Sequence, residues 1–268
     1  MAQAAFVWIG GEITTAAWNN QYNWAITGNT SFGGDLGNWG SSGPGTPGSD
    51  KWDQITLNSA SGSIDRLEGW TLKLRLINSS LTSSMIKKLQ GGCSVEIDAD
   101  SVLTLKNFGG ENGNDGETCV LDCDGVFNLE YSKNQGGEGI LASLGTSGIM
   151  NLTSTSGTHT AKVKTVSATL EAAAISGTRK LITLGDGMSF EGAPVVTVNG
   201  TEGWTRVNNE QEAQEASENG EDAYWVTNDS TGISVSWLKG ESETVPEPAS
   251  ATLSLLALAA LAARRRRR

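Results

Sequence analysis

The chain has 268 residues, enough for one large all-β domain or for two domains of average size. Its formal net charge is −11 although five arginines end the chain, so the rest of the protein is more acidic still. Such a surface repels phosphate backbones, and binding to nucleic acid is therefore disfavoured. Glycine is abundant, with 34 residues, and only 18% of residues are charged, a composition typical of many short strands joined by tight turns.

The first ten residues, MAQAAFVWIG, contain neither the basic segment nor the apolar core of a secretory signal peptide. Ala2, Gln3 and Ala4 nevertheless have the small-x-small form of a signal-peptidase site. We expect residues 1–5 to be the remnant of a cleavage region, with the signal itself lying upstream. A chance match in an alanine-rich start is the alternative.

Tryptophan is concentrated near the start of the chain, where residues 6–52 hold five of the nine: Trp8, Trp18, Trp24, Trp39 and Trp52. The pattern W-x-G…W…NW resembles the opening of autotransporter-like passenger domains, a resemblance that implies a β-solenoid body. Large indole rings would plug the open end of a solenoid core, which such folds must cap. Alternatively, Trp18, Trp24 and Trp39 form an exposed surface on which sugar rings stack, as in a carbohydrate-binding adhesin.

Residues 55–198 repeat loosely as pairs of short apolar-alternating runs joined by Gly, Ser or Asp turns. The last apolar residues of the units are separated by steps of 18 to 31 residues: Leu74, Leu105, Leu129, Leu152, Leu170 and Phe190. One turn of a parallel β-helix takes about this length, and the alternation places one face of each run inward. We predict an all-β body at 6–240, a right-handed parallel β-helix, with a β-sandwich as the alternative because its turns have a similar spacing.

The three cysteines leave the disulfide state open. Cys119 and Cys123 cannot bridge within one extended strand, because four residues separate their Cα atoms by roughly 13 Å and a disulfide needs 4.4–6.8 Å. A bridge from Cys93 to either of them is compatible with an oxidising compartment. The interpretation that we favour, however, is that all three are small buried or half-buried residues.

Two acidic pairs are the candidates for chemistry, Asp98 with Asp100 and Asp122 with Asp124. On one strand, residues i and i+2 share a face at about 6.6–7 Å, which is compatible with the two carboxylates of a polysaccharide-cleaving enzyme. The simpler interpretation places Asp100 and Asp124 in turns. His159 is the only histidine, and no zinc helix, phosphate loop or G-x-S-x-G elbow occurs. We predict no enzyme activity, no catalytic residue, no metal ligand and no cofactor.

The end of the body has two further patterns. The acidic stretch 208–221 contains Ala213 and Ala216 among glutamates, which predicts either one or two helical turns capped by Asn209 or a solvated loop. Residues 224–237 fit two strands around an Asn-Asp-Ser-Thr-Gly turn. We expect this hairpin to cap the core.

The last two dozen residues have three parts in a fixed order. Pro246, Glu247 and Pro248 precede an apolar run at 249–263, and five basic residues follow: Arg264, Arg265, Arg266, Arg267 and Arg268. As a helix, the run would span about 22 Å, less than the hydrocarbon core of about 30 Å. Snorkelling arginines and local thinning make up such a difference. Because positive charge stays on the cytoplasmic side, the body is expected on the far side of the inner membrane.

These three parts resemble the PEP-CTERM sorting domain. The resemblance implies that an exosortase-type membrane protease reads Pro246, Glu247 and Pro248, cleaves near them, and frees the protein for the outer surface or an extracellular polymer matrix. Residues 241–244 would be a linker and 245–268 the sorting tail, transiently anchored by the helix 249–263. We therefore predict an exported, non-enzymatic surface protein of a Gram-negative-type bacterium, with surface polysaccharide as a further candidate partner. An ordinary tail anchor is the alternative.

Overall fold

The computed structural model describes residues 5–18, 24–27, 54–64, 67–68, 73–83, 86–87, 93–106, 118–132, 139–171 and 176–241. Short strands account for most of these residues. In chain order the elements are β1 (Ala5–Trp8), α1 (Thr15–Trp18), β2 (Trp24–Thr27), β3 (Gln54–Asn58), β4 (Ser61–Ile64), β5 (Leu67–Glu68), β6 (Lys73–Ile77), β7 (Ser80–Ser83), β8 (Ile86–Lys87), β9 (Cys93–Ile97), β10 (Val102–Lys106), β11 (Thr118–Cys123), β12 (Val126–Tyr131), β13 (Gly139–Leu144), β14 (Ile149–Ser154), β15 (His159–Ala161), β16 (Val163–Thr169), β17 (Gly177–Leu184), β18 (Met188–Phe190), β19 (Val195–Asn199), β20 (Thr205–Arg206), α2 (Glu210–Glu218), β21 (Ala223–Asp229) and β22 (Gly232–Leu238).

Two long sheets form the body. The first sheet has the order β2-β1-β3-β6-β9-β11-β13-β16-β19, and only the β1–β2 pair is antiparallel. The second has the order β4-β7-β10-β12-β14-β17-β22-β21-β20 and is parallel from β4 to β17. Since the chain alternates between the two sheets, it winds as a parallel β-solenoid. This confirms the predicted solenoid rather than the sandwich, whose sheets would be antiparallel.

Inward-facing side chains stack in register through the body. In the first sheet, one such column consists of Ile55, Leu74, Val95, Leu121, Ala142, Val166 and Val196, all of them buried. In the second sheet, the corresponding column is Leu81, Leu103, Phe127, Met150 and Ile182. Each turn therefore buries its apolar face against its neighbours, which is the arrangement that stabilises a repeat fold.

The alignment of repeat ends is right for three residues and wrong for the others. Leu105, Leu129 and Leu152 do pair with one another in the second sheet. In contrast, Leu74 lies in the first sheet, Leu170 follows β16 of the first sheet, and Phe190 belongs to the short β15–β18 pair. The physical reason is that one solenoid turn contains several apolar runs of the same period, so the end of a run does not identify its sheet.

Buried serines form the corner where the chain passes from the first sheet to the second. The Ser101 hydroxyl accepts from the Ser79 amide at 2.9 Å and donates to the Asp98 carboxylate. The Ser79 hydroxyl accepts from the Ala60 amide at 3.1 Å and donates to the Ile77 carbonyl at 2.7 Å. Both serines are buried, so these bonds satisfy polar groups that would otherwise cost free energy.

Described elements pack against the solenoid at both of its ends. Trp8 is only 4% exposed and belongs to the core, and its indole Nε1 donates to the Gly11 carbonyl at 3.0 Å; capping by the tryptophan cluster stays a prediction. The side chains of Trp18 and Trp24, and all of Trp39 and Trp52, lie outside the described part of the chain, so sugar stacking stays a prediction. At the other end, β21 and β22 form the expected hairpin, and β22 pairs antiparallel with β17.

The acidic stretch after residue 208 is a helix rather than a loop. Helix α2 begins after Asn209, whose side-chain oxygen accepts from the Glu212 amide at 3.0 Å. In return, the Glu212 carboxylate accepts from the Asn208 backbone amide at 2.9 Å and from the Asn208 side chain, and these two contacts lower the pKa of Glu212. Reciprocal bonds of this kind satisfy amides that the first helical turn leaves without partners.

Candidate functional site

The residues that directly follow β22 are held against the body by a set of polar contacts. Lys239 forms an ion pair with Asp222, and its Nζ lies 4.9 Å from the centroid of the Trp204 ring. The next residue, Gly240, donates its amide to the same Asp222 carboxylate at 2.8 Å. The Lys239 hydrogen bond, followed by the Gly240 amide, lowers the pKa of Asp222. One ionised carboxylate thus holds two consecutive residues.

Helix α2 holds the same segment from the other side. The Glu241 amide donates to the Ser217 carbonyl at 2.9 Å, and the Ser217 hydroxyl donates to the Lys239 carbonyl at 2.7 Å. Gly240 lies so close to Gly220 that a Cβ at Gly240 would stand 2.4 Å from the Gly220 carbonyl oxygen. We refer to Lys239–Glu241 as the exit anchor. Its described contacts are all made to the body.

The predicted sorting residues lie beyond this anchor. Pro246, Glu247, Pro248, the apolar run 249–263 and the five terminal arginines are outside the described residues, so their structure is not tested. Within the described ranges, no helix is long and apolar enough to cross a membrane. The short transmembrane helix at 249–263 therefore stays a prediction.

The first acidic pair does not share a strand face. Strand β9 ends at Ile97, so Asp98 and Asp100 belong to the turn that follows it. The Asp98 carboxylate accepts from the Asn78 amide, at 2.9 Å for the nearer oxygen, and from the Ser101 hydroxyl. Asp98 therefore holds the corner between two turns of the solenoid, the local role that aspartate has in turns.

The second acidic pair is divided in the same way. Asp122 is an exposed residue of β11 that pairs in register with Glu96, whereas Asp124 lies in the turn after β11. The alternative of two carboxylates on one strand face therefore holds for neither pair. The simpler interpretation, with Asp100 and Asp124 in turns, is confirmed.

Arg179 is a charged residue that no sequence pattern singles out. It is half-buried, and its guanidinium donates to the carbonyls of Thr169 and Gly148, both at 2.6 Å, and to that of Gly145. Burial lowers the pKa of Arg179, and the attraction of Asp124 opposes that shift. A cation in this position joins β17 to the turns of neighbouring strands, and only the fold brings these carbonyls together.

The remaining candidate groups are separate from one another. Cys119 is disulfide-bonded, so the interpretation of all three cysteines as small unbridged residues is wrong, whereas Cys123 is free and buried. His159 stacks on Tyr131 with 6.4 Å between ring centroids, and its Nε2 is 2.7 Å from the Ser156 carbonyl oxygen. Among the residues that the structure describes, no three His, Cys, Asp or Glu side chains are placed to hold a metal ion.

The comparisons with known proteins identify one segment of the chain. A family model described as the PEP-CTERM protein-sorting motif matches residues 244–268. No curated protein and no solved structure matches the chain. The predicted sorting tail is thereby confirmed, and the autotransporter-like resemblance of residues 6–52 is not. The motif implies an exported protein that passes through a membrane and is recognised by an exosortase.

Proposed function

We propose that this chain is a structural protein of the cell surface or extracellular matrix, processed at its C-terminal signal by an exosortase-type protease. The observation that carries the proposal is the position of the sorting motif at 244–268, directly after the exit anchor at Lys239–Glu241. Hydrogen bonds from α2 and Asp222 hold the exit anchor against the body before the motif begins. Cleavage near Pro246 would therefore separate the signal without removing any strand of the described body.

The tail is proposed to act as a temporary membrane anchor. The run 249–263 is apolar, and the five arginines that follow it favour the cytoplasmic side. A helix of this length is short for the bilayer core, so the anchor holds the intermediate weakly compared with a full transmembrane span. In this arrangement, Pro246, Glu247 and Pro248 lie at the non-cytoplasmic surface of the inner membrane, where a membrane protease has access to them.

A structural rather than catalytic role for the body is supported by how its polar groups are used. At a corner of the solenoid, the Asp98 carboxylate accepts from the Asn78 amide, and Arg179 donates to backbone carbonyls. On the outer face of the second sheet, Asn128 donates to Thr104 at 3.1 Å and Asn151 donates to Asn128 at 2.9 Å. These side chains satisfy one another's hydrogen-bonding groups from one turn of the solenoid to the next, an arrangement that stabilises the stacked turns.

The test is to express the chain behind a secretory signal peptide in a host that encodes an exosortase, and in an isogenic strain that lacks the enzyme. In the first host, the chain should be shortened and recovered from the surface or medium. A triple alanine replacement of Pro246, Glu247 and Pro248 should leave it full-length in the inner membrane. Ser242→Ala with Glu243→Ala, a matched change outside the motif, should be processed normally.

Equal release of the triple variant, or release that does not depend on the exosortase, would overturn the proposal. Full-length protein retained in the membrane of both strains would instead identify an ordinary tail anchor. A structural role further predicts that the protein accounts for a measurable share of surface or matrix mass, and that deleting it alters the cohesion of that layer.

A further inference from the structure

We infer that Cys93 and Cys119 form a disulfide that links adjacent turns of the solenoid. Cys119 is disulfide-bonded and Cys123 is free. The chain has three cysteines, so Cys93 remains as the intramolecular partner. The sheet supports this assignment independently, because Cys119 of β11 pairs in register with Cys93 of β9.

The spacing of parallel strands suits this bridge and no other. Neighbouring strands lie about 4.7–4.9 Å apart, so register-paired Cα atoms fall within the 4.4–6.8 Å that a disulfide requires. Cys123 pairs instead with Ile97, four positions further along both strands. That offset places Cys123 roughly 13 Å from the position opposite Cys119. The register of β9 and β11 therefore selects one of the three conceivable pairings.

Cys123 is protected from competing for this bond. Its side chain is fully buried in the core, its register partners on the two neighbouring strands are Ile97 and Leu144, and its Sγ donates to the Gly125 carbonyl at 3.3 Å. Burial raises the pKa of the Cys123 thiol to about 11. Because the thiolate is the reactive form, the folded protein keeps this third thiol out of disulfide exchange.

The bond closes a loop that contains β10 and residues 107–117, a glycine-rich insertion that joins β10 to β11. Closing a loop of this size restricts the unfolded chain and stabilises the folded one. In forming the bond, the two thiols give up two electrons and two protons to a disulfide oxidant. Glutathione disulfide can serve, and it is cleaved to two glutathione molecules. Such bonds form and persist outside the cytoplasm.

Peptide mapping of the refolded wild-type chain tests the pairing. The purified full-length chain is refolded with glutathione disulfide, alkylated and digested without reduction. Trypsin releases Cys93 on residues 89–106 and both other cysteines on residues 107–133. A protease that cleaves before aspartate then separates Cys119, on residues 115–121, from Cys123, on residues 122–123. The same protease cleaves before Asp98, so the expected result is residues 89–97, which carry Cys93, cross-linked to the Cys119 peptide. A cross-link to Cys123, or no cross-link, would overturn the inference.

Thiol counting adds a second readout with matched variants. Unfolded but unreduced protein should take up one alkylating group, and reduced protein three. Cys123→Ala should take up none before reduction, whereas Cys119→Ala should take up two. Oxidation should raise the denaturant midpoint of the wild type and of Cys123→Ala but not that of Cys119→Ala. Since this work uses purified protein, its outcome does not depend on whether the sorting proposal holds.

Discussion

Gly240 donates its backbone amide to the Asp222 carboxylate at 2.8 Å, at the point where the chain leaves the body. Asp222 lies just before β21, so this bond joins the beginning of the terminal hairpin to its end. The sorting motif starts four residues after Gly240. The body is therefore closed by a contact on its own side of the motif, and processing near Pro246 is compatible with an intact fold.

Replacing Asp222 with asparagine should loosen this closure. The pKa of Asp222 is lowered in the folded state, so its contribution to stability is present above the unfolded pKa of about 3.9 and is lost as the pH falls through the lower, folded value. The pair is partly exposed, so we expect a loss below about 1 kcal/mol at pH 7. Urea unfolding at pH 7 and pH 3 should show a smaller difference between wild type and variant at pH 3. Asp186→Asn, in an exposed turn, is the control, and an equal effect there would contradict the assignment.

Truncating two adjacent residues of β11 should change stability by very different amounts. Leu121 is 1% exposed in the core column, whereas Val120 is 46% exposed on the outer face. Leu121→Ala should cost about 2–5 kcal/mol, through lost burial and the cavity left behind. Val120→Ala should change stability by no more than about 0.5 kcal/mol. Equilibrium unfolding in denaturant measures both, and similar losses would contradict the predicted inward and outward faces.

Gly62 is required by the close approach of the Ile13 backbone, which forms an isolated parallel bridge with it. Its φ is +149°, and a Cβ there would stand 1.9 Å from the carbonyl oxygen of Ile13. Gly62→Ala should therefore cost about 1–3 kcal/mol from backbone strain alone, with a further loss from separating Ile13. Gly11→Ala is the control, because a Cβ there would meet nothing within 4 Å. Thermal unfolding should show a lower midpoint for Gly62→Ala only.

Removing the single hydroxyl of Ser101 from the buried corner should lower the stability of the protein. Ser101→Ala removes the group that accepts from the Ser79 amide and donates to Asp98. A buried amide left without a partner costs about 1–3 kcal/mol. Ser143→Ala, at an exposed position of β13, should stay within about 0.5 kcal/mol of wild type. Native-state hydrogen exchange of the Ser79 amide gives a local measurement, and unchanged protection in Ser101→Ala would contradict this corner.

The sequence predicted the solenoid because alternation and repeat length are local properties. Val95 and Ile97 alternate with polar residues, and both face inward as expected. Register is not local, however. Leu74 and Leu105 end similar runs but lie in different sheets, because one turn holds several strands of the same period. A repeat count from run ends therefore misses strands.

The candidate site was predictable only where the chemistry is carried by adjacent residues. The order of Pro246, the apolar run and the arginines can be read along the chain, and the motif match confirms it. The exit anchor and Arg179 depend on carbonyls and carboxylates brought together from distant positions. The pairing of Cys93 with Cys119 likewise follows from strand register, so the sequence left it open.

The most direct test of the account is the C-terminus of the protein recovered from the cell surface or medium. We predict, from intact-mass and C-terminal peptide analysis, a chain that keeps Lys239–Glu241 and lacks the apolar run and the five arginines. Recovery of a surface protein that still ends at Arg268 would contradict processing at the sorting motif.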